Sequence, residues 1–295
     1  MKKMGTLFAS GLFALSMVMF GCSNINVYED EAVSASENVA SENVASSEVS
    51  VEKEAVLANT TVRASRAASV KNVTYTKASE ICTLVFDGYN WGEKGPISIT
   101  KGTLRSGFSS KTVYLITLSG TEDVKNQSTG YLTDLLSGFN LKNAYYNNVV
   151  KIISNNIPAG SNLVFAGHSL GGMISQQVAA DETIKKNYNV LNTVTFGSPL
   201  LSAGSREGTT KRLGDTSDVI PYASGSLFNN TIWAVMGLNR EDGGYGLDCK
   251  KAHTDSYIRD DVWGKYDVVG SKNGSAKLTL NMNSRTFFQS PVISF

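Results

Sequence analysis

The chain is poor in the residues that metal centres require. It has two histidines and three cysteines, and none of them lie in a cluster with metal-ligand spacing. A glycine-rich phosphate-binding loop is also absent from the sequence. The net charge at pH 7 is +1, which argues against nucleic acid as a partner. We therefore expect a protein that needs neither a metal nor another cofactor.

The most informative segment is a Gly-x-Ser-x-Gly motif at 167–171, centred on Ser169. The apolar run 162–165 before it is short and rich in strand formers, and apolar residues recur at helical spacing over 170–178. A serine between a strand and a helix is typical of a nucleophile elbow, in which glycines avoid collisions with the strand and the helix. Ser169 is therefore the predicted nucleophile.

A serine nucleophile needs a neighbouring base. His168 lies inside the turn, so we expect its side chain to point away from the reactive face of Ser169. His253 is the one other histidine, and it is the predicted general base.

An acid that orients the base is expected between Ser169 and His253, in the chain order Ser, Asp or Glu, His. Asp218 is the preferred candidate because it lies at the border between a loop and the apolar segment 219–221. Asp215 is the alternative. The other carboxylates of the interval are Asp181, Glu182, Glu207, Glu241, Asp242 and Asp248.

Four separated segments resemble the class 3 lipases, the fungal-lipase-like branch of the α/β-hydrolases. The matching segments are 113–121, 167–172, 195–199 with 217–221, and 252–257. The resemblance implies an α/β-hydrolase fold, with Ser169 as nucleophile, Asp218 as orienting acid and His253 as general base and acid. One departure is Ser119, which stands where the family usually has arginine.

The resemblance also implies Thr121 as an oxyanion-hole residue. A tetrahedral intermediate needs two preorganised N–H donors, and loss of one costs about 2.7–4 kcal/mol of transition-state stabilisation. Leu170, directly after the nucleophile, supplies one donor and Thr121 the other; the alternative for Thr121 is an ordinary turn residue. The segment 127–141 that follows is similar to a lid, or it is an amphipathic segment packed on the core.

The first residues, 1–22, are typical of an export signal. Two lysines precede an uncharged, mostly apolar run that is too short for a comfortable membrane span. The run ends in Gly21-Cys22 and resembles a bacterial lipobox. We expect lipidation at Cys22 and an exported protein anchored to the cell membrane, outside the cytoplasm; ordinary secretion is the alternative.

Residues 23–66 differ in composition from the rest. They repeat Ser-Glu-Asn-Val-Ala in tandem and have an acidic bias, which predicts a disordered stalk. The remaining residues, 67–295, suit one α/β domain. Export predicts a disulfide between the two remaining cysteines, Cys82 and Cys249, and a buried free thiol at Cys82 is the alternative.

Apolar patterns predict a mostly parallel central sheet flanked by helices, with the active site at the carboxyl ends of its strands. The predicted helices are 70–86 and 143–155, the predicted strands are 113–119, 162–166, 190–196 and 231–236, and an edge hairpin is placed around 273–274.

Together these features predict a serine ester hydrolase, a lipase or esterase that cleaves carboxylic esters through an acyl-enzyme on Ser169. Lipid esters such as triacylglycerol or phospholipid are the expected substrates, and the membrane is the expected partner through the N-terminal anchor. The alternatives are an acyltransferase of the same fold and an inactive surface lipoprotein used for binding.

Overall fold

The computed structural model describes residues 71–90, 92–120, 144–200, 202, 204–222 and 237–290. The sequence predictions outside these ranges are the leader 1–22 with Cys22, the stalk 23–66, Thr121, the segment 127–141 and the strand 231–236. Among the described helices, none has the length and the apolar character needed to cross a membrane.

Within these ranges the chain forms nine strands and six α-helices. The strands are β1 Asn72–Tyr75, β2 Ile97–Ser106, β3 Ser109–Leu118, β4 Asn162–His168, β5 Asn189–Phe196, β6 Thr209–Asp215, β7 Leu238–Glu241, β8 Lys277–Asn281 and β9 Thr286–Phe288. The helices are α1 Ala78–Phe86, α2 Ala144–Asn156, α3 Leu170–Ala179, α4 Glu182–Asn187, α5 Cys249–Asp255 and α6 Asp260–Trp263.

One mixed sheet contains these strands in the order β1-β8-β2-β3-β4-β5-β6-β7, and β9 also pairs with β2. Neighbours from β3 to β7 are parallel. The pairs β1–β8, β2–β8, β2–β9 and β2–β3 are antiparallel. The expectation of an α/β sheet with flanking helices is confirmed, but the prediction of a mostly parallel sheet is wrong. Strands from the first and last described segments add an antiparallel half.

Two local predictions also need correction. Residues 70–86 were expected to form one helix, but β1 occupies the first part and α1 begins only at Ala78. The Glu80 carboxylate accepts the N–H groups of Thr76 and Lys77 at 2.7 and 3.0 Å and so fixes this later start. The edge hairpin around 273–274 is wrong too, because β8 lies inside the sheet between β1 and β2.

The hydrophobic core has two parts because successive strand residues face opposite sides of the sheet. On β4, Leu163 and Phe165 belong to one apolar cluster, whereas Val164 and Ala166 belong to the other. The first cluster includes residues of α2 and α3, and the second includes residues of α1 and α6. Parallel strands buried on both faces explain why β4 reads as a continuous apolar run.

Cys82 is a free cysteine, so the predicted disulfide between Cys82 and Cys249 is wrong. Its side chain lies on α1 with no exposed surface and packs in the second apolar cluster. Cys249 begins α5, a helix that is not among the elements of that cluster. Burial raises the pKa of the Cys82 thiol well above its ordinary value. For Cys82, the alternative drawn from the sequence, a buried free thiol, is the arrangement observed.

Candidate active site

Ser169 lies at the junction of β4 and α3, on a turn with φ +54° and ψ −124°. A positive φ is strained for a residue with a side chain and persists only where the surroundings hold it. The Ser169 N–H donates to the carbonyl of Phe196 on the neighbouring strand at 3.0 Å. Its own carbonyl accepts the N–H of Met173 in α3 at 3.2 Å. Strand and helix therefore fix the turn from both sides.

The glycines around Ser169 are required by close packing. A Cβ atom at Gly171 would lie 2.0 Å from the carbonyl oxygen of Leu118, at the end of β3. A Cβ atom at Gly167 would lie 2.5 Å from the carbonyl oxygen of Gly171. Since real Cβ atoms do not approach backbone this closely, α3 can sit against the sheet only because these residues lack side chains. The prediction that the elbow glycines avoid collisions with the strand and the helix is confirmed.

His253 and Asp218 form a buried hydrogen-bonded pair. The distance from His253 Nδ1 to Asp218 Oδ2 is 2.8 Å, and 5% of His253 and none of Asp218 is exposed. The carboxylate can accept only from a protonated Nδ1, so in the neutral ring the basic nitrogen is Nε2. Asp218 also accepts the Tyr257 hydroxyl at Oδ2 and the Ile220 N–H at Oδ1. These bonds fix the carboxylate that orients His253.

Asp215, the alternative acid, has a different set of partners. Its Oδ2 atom accepts from the Ser256 hydroxyl at 2.6 Å and from the Gly243 N–H at 3.0 Å. Its Oδ1 atom accepts the Ser217 N–H at 2.9 Å. Asp215 therefore ties together the loops around the site, and Asp218 is the carboxylate bonded to His253.

Gly197 lets this pair pack against the end of β5. It has φ +55°, and a Cβ atom there would lie 2.8 Å from Asp218 Oδ2 and 3.0 Å from His253 Nδ1. Neither Gly197 nor Tyr257 is predicted as a site residue from the sequence. Two features of the sequence could have indicated them. Gly197 directly follows a predicted strand, and Tyr257 lies four residues after His253.

His168 is buried beside His253, with ring centroids 4.6 Å apart. Its Nδ1 lies 2.6 Å from the Tyr89 hydroxyl, and its Nε2 lies 2.9 Å from the carbonyl oxygen of His253. Burial, and next the neighbouring His253 ring, hold the pKa of His168 well below its ordinary value. His168 is therefore neutral near pH 7, and its two ring nitrogens bond other parts of the site.

The end of β3 approaches the elbow closely at Gly120. A Cβ atom at Gly120 would lie 2.9 Å from Ser169 Cβ and 3.1 Å from the carbonyl oxygen of His168. The preceding Ser119 donates its hydroxyl to the carbonyl of Val85 at 2.7 Å, and its own carbonyl accepts the Tyr145 hydroxyl at 2.9 Å. The chain is thus fixed immediately before Thr121. Leu170, the other predicted oxyanion donor, is the first residue of α3.

The carboxyl ends of neighbouring parallel strands thus bring Gly120, Ser169, Gly197 and Asp218 to one edge of the sheet, with His253 bonded to Asp218. In the part of the chain that the structure describes, no group of three or more His, Cys, Asp or Glu side chains is placed to hold a metal ion. Comparisons of the chain with protein-family models, with curated proteins and with solved structures found no match.

Proposed function

We propose that this protein is a serine ester hydrolase with Ser169, His253 and Asp218 as its catalytic triad. One observation carries the proposal: a serine on a strained strand-to-helix turn lies at the same sheet edge as a buried Asp218–His253 pair. Such a turn presents a serine hydroxyl as a nucleophile, and such a pair activates one.

The reaction has two halves. Ser169 Oγ attacks the ester carbonyl while His253 Nε2 takes the hydroxyl proton, and Asp218 stabilises the imidazolium that forms. The tetrahedral intermediate collapses as His253 returns the proton to the leaving alcohol, which leaves an acyl group on Ser169. Water then attacks the acyl-enzyme with His253 as base, and the carboxylic acid leaves with Ser169 restored.

Two backbone N–H groups would stabilise the oxyanion. We assign one to Leu170 at the first position of α3, where the helix N-terminus favours negative charge. The other belongs to Thr121, next to Gly120. The fixed hydrogen bonds of Ser119 support this role because they hold the chain just before the donor.

The fold and the substrate class follow from the resemblance to class 3 lipases. The parallel run β3 to β7 with the elbow after β4 supports a variant of the α/β-hydrolase fold whose other half is antiparallel. Lipid esters are the proposed substrates.

The leader supports export and a lipid anchor on Cys22. The intact mass of the mature protein tests the anchor. We expect acyl mass on an N-terminal Cys22, and its absence would refute the anchor.

Turnover of p-nitrophenyl esters of increasing chain length tests the activity. We expect hydrolysis by the wild type and a loss of about four to six orders of magnitude in kcat for Ser169→Ala and His253→Ala. Ser175→Ala is the matched control, because this buried serine of α3 bonds the helix carbonyl of Gly171. Acyl transfer to an added alcohol in preference to water would instead indicate an acyltransferase, and an inert wild type would indicate a binding protein.

A further inference from the structure

We infer that His168 and Tyr89 are positioning residues that hold Gly120, after the end of β3, and the general base in register around Ser169. The inference rests on the proposed function. Four groups form one hydrogen-bonded series: the Gly120 N–H, the Tyr89 hydroxyl, the His168 ring and the His253 carbonyl. This series is called the register network below.

The direction of each bond in the register network follows from donor and acceptor chemistry. The His253 carbonyl can only accept, so the proton of the neutral His168 ring is on Nε2. His168 Nδ1 is then an acceptor and takes the Tyr89 hydroxyl proton over 2.6 Å. The Tyr89 oxygen in turn accepts the Gly120 N–H at 2.8 Å. With His168 neutral, every bond in the register network has one donor and one acceptor.

The environment of His168 keeps it neutral and in place. Only 3% of the residue is exposed. The Phe86 and Tyr89 rings meet the His168 ring edge-on, with centroids 4.8 and 5.7 Å away. The rings of His253 and Tyr257 are tilted against it, with centroids 4.6 and 5.7 Å away. Burial among these rings penalises the charged form of the His168 imidazole. The nearby carboxylate of Asp218 is hydrogen-bonded to His253 and Tyr257.

The register network joins segments that are distant in sequence but adjacent to the nucleophile. Gly120 ends the approach of β3, His168 immediately precedes Ser169, and His253 lies on α5. Because Gly120 donates its N–H to Tyr89, this bond fixes the chain at Gly120, beside Ser169. A displacement of about 1 Å between catalytic groups can cost a hundredfold in rate. The neutral His168 ring, which bonds both the Tyr89 hydroxyl and the His253 carbonyl, prevents such a displacement.

Kinetics of Tyr89→Phe test the inference. The variant keeps the ring that packs on Phe86 and His168 but removes the hydroxyl that bridges Gly120 and His168. We expect kcat to fall about tenfold with KM unchanged, since a lost hydrogen bond of this kind acts on catalytic geometry. Tyr188→Phe is the matched control, because its hydroxyl bonds the Ile157 carbonyl in the core. An equal fall in both variants, or wild-type kcat in Tyr89→Phe, would overturn the inference.

His168 variants separate positioning from folding. His168→Ala removes both ring bonds, whereas His168→Gln keeps an amide N–H that can reach the His253 carbonyl. We expect His168→Gln to recover part of the kcat lost in His168→Ala while KM stays constant. Equal kcat in folded preparations of the two variants would count against a role through the His253 main chain.

Side-chain nitrogen NMR gives a readout that does not depend on activity. The chain has two histidines, so a histidine-labelled sample gives two ring systems, and His253→Ala identifies the one that belongs to His168. We expect His168 to show a protonated Nε2 and an unprotonated Nδ1 throughout about pH 5 to 8, and its Nδ1 resonance to shift in Tyr89→Phe. This result with an inert wild type would refute the proposed function and keep the register network. A titrating His168, or the opposite tautomer, would refute the network itself.

Discussion

The parallel and antiparallel halves of the sheet differ in what they contribute. Strands β3 to β6 run parallel, and Gly120, Ser169, Gly197 and Asp218 come shortly after their last residues. Strands β1, β8 and β9 add an antiparallel half to β2 and, in the described chain, carry none of the candidate catalytic residues. We therefore expect the proposed chemistry to depend on the parallel half and the antiparallel half to contribute stability alone.

The largest expected effect lies in the parallel half. We expect Asp218→Asn to lower kcat by about 10⁴, because an amide at this position favours the wrong tautomer of His253. Asp215→Asn should keep kcat within a few-fold of wild type but lose about 1–3 kcal/mol of stability, since the buried Asp215 carboxylate accepts three hydrogen bonds. Steady-state kinetics and urea unfolding measure the two effects.

This pair of variants separates catalytic and structural acids only three residues apart. If Asp215→Asn were the inactive variant and Asp218→Asn retained turnover, the assignment of the orienting acid would be reversed. Circular dichroism of both proteins provides the folding control.

An intermediate effect is expected in the antiparallel half. Leu280 on β8 is fully buried, and its side chain packs over Gly102 of β2. We expect Leu280→Ala to cost about 2–5 kcal/mol of unfolding free energy while kcat stays at the wild-type value. Lys277→Ala, at an exposed position of the same strand, is the control and should change neither quantity. A loss of kcat in folded Leu280→Ala would show that the two halves are coupled.

The smallest effect concerns Cys82, which lies on α1 in the second apolar cluster. Its thiol is buried and its pKa is raised, so both access and thiolate fraction oppose modification. We expect no reaction of Cys82 with a thiol reagent at pH 8 in the folded protein, and full reaction after unfolding without a reductant. A Cys82 that stays unreactive in the unfolded, unreduced protein would indicate a covalent partner.

The difference between the halves also explains what could be predicted from sequence. The elbow is local: a short apolar run, glycines and a helical pattern lie within about twenty residues, so Ser169 and its flanking elements could be predicted. The scarcity of histidine left His253 as the one candidate base.

Other features depend on contacts between distant positions. Val73 pairs with Leu280, and no local pattern indicates that partner. The sequence favours Asp218 over Asp215 but leaves both open, and their three-dimensional partners separate them. Tyr89 gives no signal in the sequence either, because its role arises from contacts with Gly120 and His168.

The central claim is that Ser169 is an activated nucleophile, and the most direct test is covalent labelling with a fluorophosphonate followed by peptide mass mapping. We predict one adduct per chain, on the peptide that contains Ser169, and none in Ser169→Ala. His253→Ala should label far more slowly, while Ser175→Ala should label as fast as the wild type. An unlabelled wild type, or an adduct on another serine that persists in Ser169→Ala, would contradict the proposed triad.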